Sequence, residues 1–218
     1  MLKRFKSTSR NQSGFTIVEL MIATMVFSVI LLVVTYGVLH FTNDYYKGIN
    51  SSTTQNTARN VIDSVAQAIQ FSGGPVQATT TPNGYVCAGN QEFVYALGGQ
   101  LPTAAYALSQ ITNTTCDTSP SPTGTELLQP HMRLTQLKVA PVTGDTTGTQ
   151  WTISAGVAYG DNDQLCAPTS QLGSCAAGAG TLSNAQLIAP DVTCKSTAGS
   201  QFCNVAKLST TVVRRLAN

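Results

Sequence analysis

From Phe15 to Phe41 the chain is apolar almost without interruption, and Glu19 is the one charge in that stretch. No other feature limits its fold as strongly. Leu20 to Leu39 alone supplies twenty residues, enough to cross a hydrocarbon layer of about 30 Å as a helix. The first proline is Pro75, preceded by Gly73-Gly74, so a helix begun near Phe15 meets no firm stop before that point. Its later part keeps helical spacing. Ala58, Val61, Ile62, Val65 and Ile69 fall on one face, while Arg59, Asp63, Ser64, Gln67 and Gln70 occupy much of the rest. Gly48 and Ser51-Ser52-Thr53-Thr54 are weak points where such a helix is expected to bend or loosen. From Phe15 to about Phe71 it would extend about 85 Å at 1.5 Å per residue. No single small domain covers that length, so its first part is expected to meet membrane and later other helices.

Charge is arranged to suit that reading. Lys3, Arg4, Lys6 and Arg10 place four of the twelve basic residues ahead of the apolar run, and the remainder carries a net charge of −2. A basic head before an apolar span keeps an N-terminus cytoplasmic. Charged residues make up only 10% of the chain, against about 25% in ordinary soluble proteins. The net charge of +2 gives no general reason to expect nucleic acid as a partner.

After Pro75 the pattern becomes short segments separated by Gly, Pro, Asn and Thr. Trp151, Ile153, Ala155, Val157 and Tyr159 alternate with small or polar residues and give the clearest strand. Residues 92–97, 104–111, 132–142 and 206–216 are further candidates, with loops at 112–124 and 168–180. The expected fold class is α+β: a long N-terminal helix whose 58–69 face covers the apolar side of an antiparallel sheet that is polar on its other face. The expected organisation is a leader at 1–14, a transmembrane helix at 15–41, its amphipathic continuation at 42–72, and an extracytoplasmic sheet domain at 73–218.

The string Gly14-Phe15-Thr16-Ile17-Val18-Glu19-Leu20, with a basic leader before it and an apolar helix after it, resembles the prepilins of the type IV filament family. Residues 59–65 and 208–216 are more loosely similar to minor pilins of the W kind or pseudopilins of the J kind. The resemblance implies cleavage between Gly14 and Phe15 by a membrane prepilin peptidase, which also methylates the new amine of Phe15. It implies that Glu19 pairs with the Phe15 ammonium of a neighbouring subunit. It implies partners: other pilin subunits in a helical filament, a membrane assembly platform and an ATPase. Physics supports the Glu19 role separately. A carboxylate in the middle of an apolar span costs roughly 2.5–3.5 kcal/mol, and in a dry helix bundle that cost needs a partner charge.

Other readings stay open beside this one. A single-span anchor explains everything except Gly14-Phe15 and Glu19. A cleaved secretory signal lacks a small-residue exit after the apolar run, and no early cysteine marks a lipoprotein. Cys87, Cys116, Cys166, Cys175, Cys194 and Cys203 lack the paired spacing of a zinc site. They read as three disulfides in an oxidising compartment, with unpaired buried thiols as the alternative. Nearest-neighbour pairing is the simplest connectivity. Asp161-Asn162-Asp163 reads as a polar turn; a cation site there would need more oxygens than the loop offers. Arg214 and Arg215 read as solvated strand-end charges, and DNA contact is the weaker reading. His40 suits a membrane interface, His131 has no triad pattern around it, and Trp151 and Tyr159 read as core. No enzyme, cofactor or metal is expected. The function implied is a pilus subunit, minor in kind, for adhesion, motility or DNA uptake. Its precursor would sit in the cytoplasmic membrane with the N-terminus inside. A pseudopilin of a secretion system is the alternative.

Overall fold

The structure is a computed structural model that describes residues 14–99, 107–112, 116, 124–145, 148–167, 175, 191–195 and 200–215. Residues 1–13, most of the 112–124 and 168–180 loops, and residues 104–106 of one candidate strand lie outside the described residues. The chain divides into two units, one ending at Asn43 and the other beginning at Asp44.

Helix α1 spans Ile17–Gln70 and crosses that boundary unbroken. In the first unit every residue from Gly14 to Phe41 is exposed. Among them are Leu20, Met25, Leu32 and Val33, each more than 60% accessible. In the second unit α1 buries Thr54, Thr57, Ala58, Val61, Ile62, Val65, Ala66 and Ile69, the spacing of one helix face. The expected weakness at 48–54 does not appear. Thr54 is fully buried and its hydroxyl donates to Asn50 O at 2.7 Å. Asn50 Nδ2 donates to Gln201 O at 3.0 Å, and Tyr46 packs on Phe202 at 5.8 Å between ring centroids. Contacts from a segment about 150 positions later thus hold a stretch that local propensity alone leaves weak.

Ten strands follow. β1 (Val76–Ala78), β2 (Asn83–Ala88), β3 (Gln91–Ala96), β4 (Leu108–Thr112) and β5 (Thr125–Glu126) form an antiparallel sheet in that order. A second sheet has the order β10-β7-β6, from β6 (Met132–Pro141), β7 (Gln150–Tyr159) and β10 (Asn204–Val213). β8 (Leu165–Cys166) and β9 (Thr193–Cys194) make a small third pair. The single sheet expected from sequence is therefore three. The break falls at Gln129-Pro130-His131-Met132, a turn closed by Met132 N–H to Gln129 O at 3.1 Å. Proline fixes the first corner and His131 takes φ 63°, which redirects the chain before β6.

β6 shows how a sheet keeps its apolar face in register. Met132 and Leu134 are buried, then Leu137 and Val139, so the alternation slips by one residue. The slip coincides with a β-bulge between Leu134 and Gln136. Opposite it stands Gly156, where a Cβ would come within 2.6 Å of Thr135 Oγ1. Both halves of β6 thereby face the same core. That core joins Val61, Ile62, Val65 and Ile69 of α1 to Phe93 and Tyr95 of the first sheet and Leu134, Ile153 and Val157 of the second. Each such side chain contributes about 1.5–3 kcal/mol by leaving water. Trp151 and Tyr159 are partly buried against it.

The other face of the second sheet is not simply polar. Ala158 packs there with Leu165, Ala167, Val192 and Cys203 in a separate small cluster. Arg133 is fully buried. Its guanidinium donates to Gly160 O at 3.0 Å and to Asn162 Oδ1. Burial lowers its pKa to about 10, with Asp161 acting in the opposite sense, so it stays protonated at neutral pH.

Candidate functional site

The N-terminal end of α1 is built by four residues. Gly14 and Phe15 are exposed and precede the first helical residue, Phe15 being 88% accessible. Thr16 is the N-cap. Its Oγ1 accepts the Glu19 N–H at 3.2 Å, while Glu19 Oε2 accepts the Thr16 N–H at 3.0 Å. Thr16 Oγ1 also lies 3.0 Å from Glu19 Oε2 and donates to it. This reciprocal arrangement is a capping box, which satisfies helix-end N–H groups with side-chain oxygens. Its signal, Thr-x-x-Glu at 16–19, is visible in the sequence but was not among the features singled out from it. Glu19 therefore sits in the first turn, where the helix dipole favours a negative charge.

The arrangement defines what this end can do. The bond between Gly14 and Phe15 lies outside the helix in exposed backbone, a form that fits a protease cleft. A cut there would create an amine on Phe15, directly before the N-cap Thr16 and four positions before Glu19. Beyond it, α1 contains an 18-residue window of mean hydropathy 2.7 that is wholly exposed, so it is long and apolar enough to cross a membrane. Tyr36 and His40 meet edge to face at 6.3 Å near the C-terminal end of the apolar stretch.

The cysteines pair in sequence order: Cys87–Cys116, Cys166–Cys175 and Cys194–Cys203, with Cα–Cα distances of 5.9, 5.3 and 5.8 Å. Cys87, Cys116 and the buried Glu92 bring potential ligand atoms within 4.8 Å of one another. Two of those atoms are the bonded sulfurs, so the group is a disulfide beside a carboxylate and no metal centre.

At 161–164 the chain makes a turn, with Gln164 N–H donating to Asp161 O at 3.0 Å. The Asn162 oxygen accepts from the Arg133 guanidinium, so that oxygen of the Asp161-Asn162-Asp163 stretch is engaged by β6. His131 Nδ1 lies 4.0 Å from Asp161 Oδ1, and its ring is edge-on to Tyr159 at 6.4 Å. Arg214 and Arg215 are not plain solvated charges. Arg214 Nε donates to Ser72 O at 3.3 Å, and the Arg215 backbone N–H donates to Gln70 O at 2.9 Å. The Arg215 guanidinium lies 5.7 Å from the centre of the Phe71 ring. α1 has no basic residue in its own last turn, and the two residues after β10 bring cations near its C-terminal end instead.

Comparison with known proteins agrees with the N-terminal geometry. The family model of the prokaryotic N-terminal methylation motif matches residues 9–35, the segment that holds Gly14, Phe15 and Glu19. The class so matched is that of chains with a prokaryotic N-terminal methylation motif at the head of an apolar helix. Within that class the chain is type IV pilin-like, an α+β protein whose long helix packs on antiparallel sheets. The match supports a pilin or pseudopilin precursor, a structural subunit in kind, and does not reach the segments that resemble the W or J subtypes. No curated protein and no solved structure matches the chain.

Proposed function

We propose that this chain is a minor subunit of a surface type IV pilus. The precursor waits in the cytoplasmic membrane with residues 1–14 inside and the sheet domain outside. A prepilin peptidase cuts between Gly14 and Phe15 and methylates the new amine. An assembly platform and its ATPase then move α1 from lipid into a bundle of like helices. Lipid is as apolar as the bundle, so the gain on transfer comes from close packing and charge pairing. Ala23, Ser28 and Gly37 are small residues that permit close approach.

The observation that carries this reading is the place of Glu19: a carboxylate in the first turn of an exposed apolar helix, directly after Gly14-Phe15, within the matched motif. Within one chain it is held by Thr16. In the filament it would exchange or share that bond with the Phe15 ammonium of a neighbour, a charge-assisted contact and the stronger of the two. A subunit out of axial register would leave both charges unpaired.

Glu19→Ala tests this. Cleavage after Gly14 should proceed as in the parent, while recovery of the subunit in filaments sheared from cells should fall at least about tenfold, the effect of about 1.4 kcal/mol. Equal recovery would remove Glu19 from assembly. A processed subunit found in the membrane fraction alone, with parent and variant alike, would favour the pseudopilin reading.

A further inference from the structure

A groove of about 760 Å³ lies on the Asp44–Asn218 unit, within the size range of small-molecule sites. One wall is the end of α1, with Gln67 and Phe71. The other is the β2–β3 hairpin and β4, with Asn90, Gln91 and Gln110. Between them runs the Ser72–Gly74 backbone where the helix stops. The hairpin makes a two-residue turn at Gly89-Asn90, with Gly89 at φ +63°. A Cβ at Gly89 would sit 3.3 Å from Ser72 Cα, so glycine brings the hairpin tip against the helix end and sets the groove's width.

Two properties of the lining decide its chemistry. First, none of the residues that line it is ionisable. Two cations stand at its edge, each already engaged with a lining residue: Arg214 Nε donates to the Ser72 carbonyl, and the Arg215 guanidinium lies 5.7 Å from the centre of the Phe71 ring. A phosphate or carboxylate ligand would find no counter-charge among the lining residues. Second, the polar groups are carboxamides. Gln110 Nε2 donates to Gln91 Oε1 at 3.0 Å, and Gln91 Nε2 reaches Thr112 Oγ1 at 3.5 Å. That chain fixes the Gln91–Gln110 pair and leaves the Gln110 oxygen available as an acceptor. Gln67 and Asn90 are exposed, and each offers one acceptor and two donors. Beside them Phe71 is 58% accessible. An apolar ligand would bury these amides unpaired, at a cost in desolvation.

We infer that this groove binds a neutral saccharide. Vicinal hydroxyls, each a donor and an acceptor, match the paired functions of a carboxamide, and the C–H face of a pyranose ring suits the part of the Phe71 ring that Arg215 leaves accessible. A peptide is less well served, because the walls offer Phe71, Ala68 and Ala88 as their apolar surface and no closed apolar subpocket. The inference does not rest on filament assembly, so failure of either reading leaves the other intact.

The test uses the full chain in detergent micelles, with nitrogen-labelled side-chain amides followed by NMR. The probes are maltotriose for hexose glycans, chitotriose for N-acetylhexosamine glycans, and lactose against sialyllactose for the effect of charge. Expected is saturable binding of maltotriose, chitotriose or lactose that shifts the Gln67, Asn90 and Gln110 amide signals. Gln67→Ala and Asn90→Ala should each weaken that binding about fivefold, the value of one hydrogen bond. Both side chains are exposed, so the amide spectrum away from the groove should not change. Which neutral probe binds identifies the sugar class. The inference is overturned if no neutral probe binds up to about 10 mM, if the shifts lie elsewhere, if both variants bind as the parent does, or if sialyllactose binds better than lactose.

Discussion

Arg133 stands between Met132 and Leu134 in β6, and it is the largest fully buried side chain among the described residues. Its neighbours serve one core, while its own guanidinium, on the opposite face, ties the start of the 160–162 turn to the sheet. Alanine at this position would leave the Gly160 carbonyl without that donor and open a cavity where the buried side chain stood. Arg133→Ala should therefore cost about 2–4 kcal/mol in chemical denaturation. Arg133→Lys should fall between parent and alanine, since an ammonium keeps the charge but lacks the planar fork. A loss below about 0.5 kcal/mol for alanine would mean that the guanidinium is not structurally important. Sequence gave no sign of this burial. A charged residue between two apolar ones in a strand reads as solvent-facing, and the groups that hold it, Gly160 and Asn162, lie nearly thirty positions later.

At the scale of elements, the C-terminal end of α1 and the end of β10 act together. The helix has no cation in its last turn. From just after β10, about 140 positions on, Arg214 Nε donates to Ser72 O, the Arg215 backbone N–H donates to Gln70 O, and the Arg215 guanidinium stands on the Phe71 ring. Replacing both with alanine should lower stability by about 1 kcal/mol at low salt. Amide exchange should quicken first in the last turn of α1, and the difference should shrink as salt rises. Unchanged exchange there would contradict the cap. What sequence revealed of the elements follows from how local their causes are. The α1 face at 58–69 and the alternation at 151–159 were legible because each repeats one period for several turns or pairs. β1, β5, β8 and β9 were missed: each has two or three residues and exists through pairing with a distant partner. β2 was missed because Asn83 and Gly84 open it, both poor strand formers. The capping box at Thr16 and Glu19 was local and readable. The groove was not, since its walls come from α1, the β2–β3 hairpin and β4 and meet through the fold alone.

For the molecule as a whole, two features fit a life outside the cytoplasm: three disulfides and a low content of charge. Each bridge is worth about 2–4 kcal/mol by restricting the unfolded chain. Two of them, Cys166–Cys175 and Cys194–Cys203, anchor the segments that form the small cluster on the second sheet's outer face, through Cys166, Cys194 and Cys203 beside Leu165 and Val192. Full reduction should lower the midpoint of thermal unfolding and expose the second sheet's outer face before the core that α1 shares is lost. Coincident loss of both on heating the reduced protein would argue that the small cluster has no separate stability. The central claim is that the chain is cut after Gly14 and built into a surface filament by its N-terminal helix. Mass spectrometry of the N-terminal peptide from filaments sheared off intact cells tests it most directly. The account predicts a peptide that begins at methylated Phe15 in that fraction. An intact Met1 N-terminus confined to membranes, in cells where the peptidase is active, would contradict it and leave an anchored domain.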